Sequence, residues 1–270
     1  MINKQFLVVS YLIAALLLTT NVKAESDFCG ISNTSFSKNE KLAFKVYYNM
    51  GSIWVAAGEA SFTTKVTNIN GKPAYHITGF GKTLKSYEWF FKVRDTYQTF
   101  IDTNTLQPLK FVRDVKEGGY SKYEHASFDY STNKIITTKG ILSLPKCTQD
   151  VLSAIYYARN IDYSLLKVGD KIPFKMYLDE QVYDLHIKYL GKAQVKTKYG
   201  TFNAIKLSPL LIEGTLFKGG DKMVVWVTDD KNKLPIRIES PIVVGSIKVD
   251  LMNFENIKHP MSALIKTKKS

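Results

Sequence analysis

The sequence predicts an all-β protein, mainly antiparallel, with one central helix. Aromatic residues make up 13% of the 270 residues, including 16 Tyr and 15 Phe, and these residue types favour strands. Apolar and polar residues alternate over segments such as 42–48 and 183–189, which is typical of antiparallel strands with one buried face. Turn signals rich in Gly, Asn and Asp separate about a dozen such segments.

An internal repeat supports this fold class. Asp102 precedes Pro108 by the same spacing that separates Asp229 from Pro235, and apolar segments flank both pairs. In each case Asp is expected to begin a turn, and Pro opens the returning strand, where a missing N–H is tolerated. We therefore assign these four residues a structural role.

The repeat extends to neighbouring segments, because residues 74–78 match residues 204–208 in the same order. Two similar β-halves of about six strands follow, over residues 38–140 and 170–255, forming a barrel-like or half-barrel architecture. We expect the two halves to fold as one unit.

A helix is predicted between the halves, over residues 148–160. Thr148 is the expected N-cap, Asp150 suits the positive first turn, and apolar residues from Val151 to Tyr156 recur at helical spacing. Two interpretations of Asp150 and Arg159 stay open at this point. They either make charge contacts with the β-scaffold or serve only as a capping residue and a solvated arginine.

Residues 1–24 have the features of a cleavable signal peptide. Lys4 precedes an apolar stretch over 6–18, and a small-residue pattern predicts cleavage after Ala24. The stretch is shorter than the roughly 20 residues of a membrane-spanning helix. We expect a periplasmic protein, and Cys29 lies too far beyond the cleavage point for a lipoprotein.

The net charge of the chain is positive, both with and without the predicted signal peptide. Loss of Lys4 and Lys23, with no acid, lowers the formal charge from +13 to +11. Residues 25–37 form an N-terminal segment, and residues 256–270 form a basic tail. Such a field favours an anionic membrane surface, an outer-membrane protein or acidic glycans over nucleic acid, although general solubility also explains it.

Cys29 and Cys147 are the two cysteines of the chain. Export permits a disulfide between them, and the long loop it closes implies roughly 4 to 5 kcal/mol of stabilisation in the chain-entropy model. Two separate buried thiols are the alternative. No close Cys or His spacing points to zinc, so no metal is predicted.

Several motifs together resemble the domain-of-unknown-function family DUF3108, most like its exported members from Bacteroidota. They are Asn39-Glu40-Lys41-Leu42, Ala57-Gly58-Glu59-Ala60, Val93-Arg94-Asp95 and the run from Asp150 to Arg159. The resemblance covers roughly residues 38–255 and implies no established activity. Asp95 is given a structural role on this basis.

A second, local likeness concerns the second half of the chain. Residues 225–229 and 234–237 are similar to a strand-turn-strand of LolA/LolB-type lipoprotein carriers. In those carriers a curved sheet and helices enclose an apolar cavity. The likeness therefore favours an apolar ligand, as an analogy over a short segment.

Catalytic motifs are weak in this sequence. The four histidines lack metal-ligand spacing, and the acid pairs Asp179-Glu180 and Asp229-Asp230 are expected in solvated turns. We predict no enzyme activity, no cofactor and no metal.

A dense aromatic segment with a basic edge is the best candidate for a binding site. On a β-scaffold such residues line a ligand cavity or touch a membrane surface, and ordinary core filling is the alternative. The candidate ligand-binding residues are Trp54, Tyr87, Trp89, Phe90, Phe91, Lys92 and Arg94, with Leu211 and Phe217 as the opposing wall.

The leading hypothesis is a noncatalytic periplasmic protein that binds a hydrophobic or amphipathic envelope molecule inside the barrel. Its apolar portion would lie against the aromatic residues, with Lys92 or Arg94 at an anionic head group. The alternative is a structural or interaction module that docks an outer-membrane protein or glycan. A third hypothesis is a hydrolase of envelope glycans or lipids.

Overall fold

The computed structural model describes residues 28–50, 53–213 and 218–267, most of which lie in β-strands. The predicted signal peptide over 1–24 and Phe217 lie outside the described residues. Within the described ranges, no helix has the length and apolar character needed to cross a bilayer.

The first half of the chain forms an antiparallel meander in which each strand pairs with the strand before it. The order of strands in the sheet follows the order in the chain. The strands are β1 (Lys41–Met50), β2 (Ile53–Ile69), β3 (Lys72–Thr83), β4 (Arg94–Asp102), β5 (Pro108–Glu117), β6 (Tyr120–Asp129), β7 (Lys134–Thr137) and β8 (Ile141–Ser143).

The second half begins with a short strand and the helix, and then continues as a second meander. A small hairpin, β13–β14, lies outside the main sheet. The elements are β9 (Thr148–Gln149), α1 (Val151–Ala158), β10 (Lys171–Leu178), β11 (Gln181–Lys196), β12 (Gly200–Pro209), β13 (Leu211–Glu213), β14 (Lys218–Gly220), β15 (Val224–Thr228), β16 (Pro235–Pro241), β17 (Ser246–Glu255) and β18 (Leu264–Thr267).

The two meanders join into one 16-stranded sheet within the described ranges. Strand β1 pairs with β17, with Val46 opposite Val249, and the order continues through β16, β15, β12, β11, β10 and β9. The run β3 to β6 and the run β12, β15, β16, β17 have the same neighbour order, as expected from the repeat. The predicted all-β class with one helix is confirmed.

The described ranges contain more strands than the dozen expected, and the difference comes from short strands. Strands β7, β8, β9, β13, β14 and β18 contain two to four residues each, which is too short for a clear alternation. Strand β18 lies in the segment assigned to the basic tail and pairs with β12.

The open sheet curls until strands far apart in its order meet through side chains. Tyr177 on β10 packs against Phe111 on β5 and Phe128 on β6, with ring centroids 6.2 and 5.8 Å apart. The Tyr177 hydroxyl donates a hydrogen bond of 2.8 Å to Glu124 on β6. The architecture is therefore a half-barrel without a closing ladder.

Helix α1 begins at Asp150, so Thr148 as the N-cap was wrong. Thr148 lies in β9, opposite Lys175 of β10, and this parallel pairing holds it in extended backbone. The buried Asp150 carboxylate accepts the backbone N–H groups of Leu152 and Ser153 at 2.9 Å, as an N-cap does. Burial raises the pKa of Asp150 to about 6.

The helix fills the inside of the half-barrel. Tyr156 and Tyr157 are 1% exposed and belong to the main apolar core. Two phenylalanines of the N-terminal segment cover them, Phe28 stacking on Tyr157 at 4.3 Å and Phe36 meeting Tyr156 edge-on at 4.9 Å. The interior is thus occupied by the chain itself.

A buried ion pair fixes the end of the helix. Arg159, 2% exposed, binds both oxygens of the fully buried Glu40 at 2.6 and 2.8 Å. Its Nε donates to the Asn232 carbonyl in the β15–β16 hairpin, and the Ser35 hydroxyl donates to the Arg159 carbonyl. The predicted charge contact between Arg159 and the scaffold is present, with a partner that precedes β1.

The expected disulfide between Cys29 and Cys147 is present, with the Cα atoms 5.2 Å apart. It ties the N-terminal segment to the turn before β9. Asn160 supports the same segment, because its side-chain oxygen accepts the backbone N–H groups of Thr34 and Ser35 at 2.7 and 3.1 Å.

Replacing Arg159 tests the buried pair. Arg159→Ala leaves Glu40 buried without its cation, so the free energy of unfolding should fall by about 3–5 kcal/mol. The exposed pair Lys41–Glu255 provides the control, because Lys41→Ala should cost at most about 1 kcal/mol. Urea denaturation measures both, and equal losses would contradict the central role of Arg159.

Candidate functional site

Four connections that are neighbours in the strand order lie at one end of the half-barrel, which the β7–β8, β10–β11 and β12–β15 connections also reach. They are the β1–β2 tip, the segment 84–93 between β3 and β4, the β5–β6 tip and the β16–β17 tip. Antiparallel strands return alternate connections to the same end of a sheet. We use the name aromatic rim for the apolar side chains that these connections carry, namely Tyr48, Ile53, Trp54, Trp89, Phe90, Phe91, Val243 and Val244.

Direct contacts hold the members of the rim together. The rings of Tyr48 and Phe90 lie 6.2 Å apart, and those of Trp89 and Phe90 lie 6.0 Å apart. Gly245 approaches Tyr48 so closely that a Cβ there would lie 3.1 Å from its ring. The β16–β17 tip, β1 and segment 84–93 therefore form one continuous surface.

The rim is exposed to an unusual degree for its composition. Trp89 is 83% exposed, Val244 69%, Ile53 65% and Phe90 59%. Scattered apolar residues on a surface are normal, but a contiguous exposed patch marks an interaction site. Core filling, the alternative for these aromatic residues, is excluded for Trp89 by its exposure.

Segment 84–93 satisfies much of its own hydrogen bonding. A 3-10 turn over Lys85–Tyr87 starts it, and the backbone N–H groups of Phe90 and Phe91 donate to the Tyr87 carbonyl at 3.1 and 3.2 Å. The indole N–H of Trp89 donates to the Ser86 carbonyl at 3.0 Å. The Trp89 indole and the backbone N–H groups of Phe90 and Phe91 therefore all have partners within the segment.

The two predicted head-group cations have different roles. Arg94 pairs with Glu88 and donates to the Thr83 carbonyl at 3.1 Å, so it holds segment 84–93 in place. Lys92 is exposed, and no carboxylate of the described ranges lies within salt-bridge distance of it. Lys92 is thus the available cation of the two.

Of the two residues of the predicted opposing wall, Leu211 lies in the described part of the chain and Phe217 lies outside it. Leu211 is half-buried in β13, while Trp89 faces solvent. Cavities of roughly 340 and 260 Å³ occur elsewhere, one beside Cys147 and Phe174, the other among polar residues near Lys233. The structure brings Trp54, Tyr87, Trp89, Phe90, Phe91, Lys92 and Arg94 to one end of the sheet, and Leu211 comes shortly after the last residue of β12 at that same end.

Sequence reasoning missed other residues of this surface. Ile53, Val243, Val244 and Lys248 were not assigned to it, although Val243-Val244-Gly245 is an apolar pair at a turn signal. The Lys248 ammonium lies 4.5 Å from the centre of the Trp54 ring, at cation–π distance. This contact adds a cation to the edge of the rim.

The repeated hairpin residues have their predicted structural role in the first half. The Asp102 carboxylate accepts the backbone N–H groups of Asn104 and Thr105 at 2.8 and 3.0 Å, which stabilises the turn. Pro108 and Pro235 are the first residues of β5 and β16.

In the second half, Asp230 takes the place expected of Asp229. The Asp230 carboxylate accepts the N–H groups of Asn232 and Lys233 at 3.0 and 3.3 Å. Asp229 instead pairs with Lys192 at 2.8 Å. Equal Asp-to-Pro spacing therefore did not identify equivalent carboxylates, because the second turn places its cap one residue later.

Asp95 lies at the foot of the rim, next to the β5–β6 hairpin. Its carboxylate accepts the backbone N–H of Lys116 at 3.0 Å. Burial, helped by the nearby Glu117 carboxylate, raises the pKa of Asp95 to about 7. Below that pH Asp95 is mostly protonated, which reduces the negative charge beside the rim.

The family of the chain follows from a sequence match over most of this sheet. The model of DUF3108, a protein of unknown function, matches residues 43–252. The chain belongs to the DUF3108 family. The resemblance found from the motifs is confirmed, and this DUF3108 chain matches no curated protein in sequence.

Solved structures resemble the DUF3108 chain at low sequence identity. A β-barrel-like protein of the domain of unknown function DUF1849 from Brucella abortus has a TM-score of 0.53 and 8% identity, covering 85% of this chain and 100% of its own. This likeness concerns the fold alone. An inferred exported protein with a YmcC-like fold from Bacteroides fragilis has a TM-score of 0.33 and 9% identity, covering 84% of this chain and 100% of its own. An inferred lipoprotein from Parabacteroides distasonis has a TM-score of 0.31 and 11% identity, covering 83% and 100%.

Within the described ranges, no group of three or more His, Cys, Asp or Glu residues is arranged to hold a metal ion. Asp179 of the acid pair Asp179-Glu180 is engaged by Arg113 and Lys122. The absence of enzyme activity stays a prediction.

Gly118 sets the contact between the β5–β6 tip and segment 84–93. Its φ is +60°, and an added Cβ would lie 2.8 Å from the Phe91 ring. Gly118→Ala should therefore lower the free energy of unfolding by about 1–2 kcal/mol. Gly119→Ala is the matched control, because a Cβ there meets open space and should change stability by about 0.5 kcal/mol or less. Chemical denaturation compares the two variants. Equal effects would show that the close contact between Gly118 and the Phe91 ring does not restrict residue 118.

Proposed function

We propose that this chain is a noncatalytic periplasmic protein that binds a hydrophobic or amphipathic molecule of the cell envelope through the aromatic rim. The observation that supports this proposal most directly is the exposure of contiguous large apolar side chains, of which Trp89 is 83% exposed. An apolar surface of this kind gains free energy when an apolar partner covers it. The predicted signal peptide supports the location.

The proposed binding surface differs from an interior carrier site. Helix α1 and the N-terminal segment occupy the inside of the half-barrel, where Tyr156 and Tyr157 are buried. An acyl chain inside would have to displace this core, at a cost of several kcal/mol for each large side chain moved. The rim offers apolar contact without that cost.

The filled interior also favours a second candidate, a structural or interaction module that docks an outer-membrane protein or glycan. Such a module needs a stable core and an exposed surface, and no ligand cavity. The two candidates differ in their partner, because only the first predicts binding of an isolated acyl compound.

The test is binding of a fluorescent long-chain fatty acid to the purified protein. Trp89→Ala should weaken binding about tenfold, since burying one large apolar side chain contributes about 1.5–3 kcal/mol. Leu165→Ala is the matched control, because Leu165 is equally exposed, at 83%, and lies in the turn Tyr163–Leu165 after α1. Native mass spectrometry should show copurified lipid. Absence of both lipid and probe binding, or equal weakening by the two variants, would refute the proposal.

A further inference from the structure

We infer that the aromatic rim docks on the surface of an anionic lipid bilayer. In this arrangement Trp89 and Phe90 enter the boundary between head groups and acyl chains, and Lys85, Lys92 and Lys248 face the anionic head groups. The inference rests on the proposed function and names the partner of the same surface.

The shape of the rim suits a bilayer surface. Its side chains stand on the ends of neighbouring connections, and contacts between Tyr48 and Phe90 and between Tyr48 and Gly245 keep those ends side by side. A projecting surface of this kind can bring all of its apolar side chains into contact with a planar partner at the same time.

The hydrogen bonding of segment 84–93 suits an apolar phase. The Trp89 indole N–H is bound to the Ser86 carbonyl, and the N–H groups of Phe90 and Phe91 are bound to Tyr87. When the segment enters the head-group boundary, none of these donors therefore loses a hydrogen-bond partner. An unpaired donor in an apolar phase would cost several kcal/mol. A specific protein partner would instead be recognised by free donors and acceptors.

The charges around the rim favour an anionic surface. Segment 84–93 and the adjacent Arg94 contain three cations and one acid, Glu88, which pairs with Arg94. Within the described ranges, no carboxylate lies within salt-bridge distance of Lys85, Lys92 or Lys248. Each such lysine near an anionic membrane contributes about 1 kcal/mol of attraction.

Acids close to the rim include Glu59, Glu88, Asp95, Glu117 and Glu239. Glu59 lies between Lys45 and Lys82, at 2.8 and 3.5 Å, and these two cations lower its pKa. Glu88 pairs with Arg94. Burial and the neighbouring Glu117 carboxylate raise the pKa of Asp95 to about 7, and Glu239 lies 3.8 Å from Arg237. Lys85, Lys92 and Lys248 are cations of this surface with no carboxylate of the described ranges within salt-bridge distance, which matches the positive charge of the whole chain.

The experiment is cosedimentation of the purified protein with two kinds of vesicle. One kind contains phosphatidylglycerol and phosphatidylcholine in equal parts, and the other contains phosphatidylcholine alone. The wild-type protein should bind the anionic vesicles more tightly, with a blue shift of tryptophan fluorescence, and added salt should weaken the binding.

Two pairs of variants separate apolar contact from charge. Trp89→Ala with Phe90→Ala should weaken binding to anionic vesicles at least about tenfold, while the equally exposed Leu165→Ala leaves it unchanged. Lys85→Ala with Lys92→Ala should weaken it about fivefold per lysine. Lys72→Ala with Lys134→Ala, two exposed lysines at the other end of the strands, is the control for net charge.

The outcomes distinguish this inference from the proposed function. If the fatty acid binds in a Trp89-dependent manner and neither vesicle binds, the bilayer inference is wrong and the proposed function stands. If neither the fatty acid nor any vesicle binds, both are wrong. Equal binding to the two vesicles, or equal losses in the rim and control variants, would overturn the anionic bilayer as the partner.

Discussion

The bidentate ion pair between Arg159 and Glu40 is the interaction on which the rest of the structure depends. It connects the end of α1 to the residue before β1, and through Asn232 to the second meander. Both charged groups are buried, so neither tolerates loss of the other. The pair therefore holds the helix inside the curled sheet and joins the two halves at the same point.

This central core leaves the exposed apolar side chains at the connections between strands. With Tyr156 and Tyr157 packed inside, exposed apolar surface is found where strand connections leave the core. Segment 84–93 is longer than a hairpin turn, and Arg94 fixes it through Glu88 and Thr83. The aromatic residues of this segment consequently project outward. The N-terminal segment, held by the Cys29–Cys147 disulfide, covers helix α1 through the contact of Phe28 with Tyr157.

The sequence predicted features that depend on local or repeated patterns. The hairpin from Asp102 to Pro108 follows from turn chemistry, and the two meanders follow from the repeat. Apart from the Cys29–Cys147 disulfide, pairings between distant residues were not predicted. Arg159 and Glu40 are 119 residues apart, and β9 pairs with β10 in a way that no periodicity reveals, so Asp150 replaces the expected cap. A run of aromatic residues fits a core and a surface equally well, so the outward direction of the rim required the structure.

Hydrogen exchange tests most directly whether the interior is a fixed core and the rim is the binding surface. It is measured on the purified protein with and without phosphatidylglycerol-containing vesicles. We predict that α1 amides exchange slowly in both states, and that amides of segment 84–93 and of residues 242–245 gain protection with vesicles. Faster baseline exchange in α1, with protection gained there on adding lipid and none at segment 84–93, would place the lipid in the interior and contradict this account.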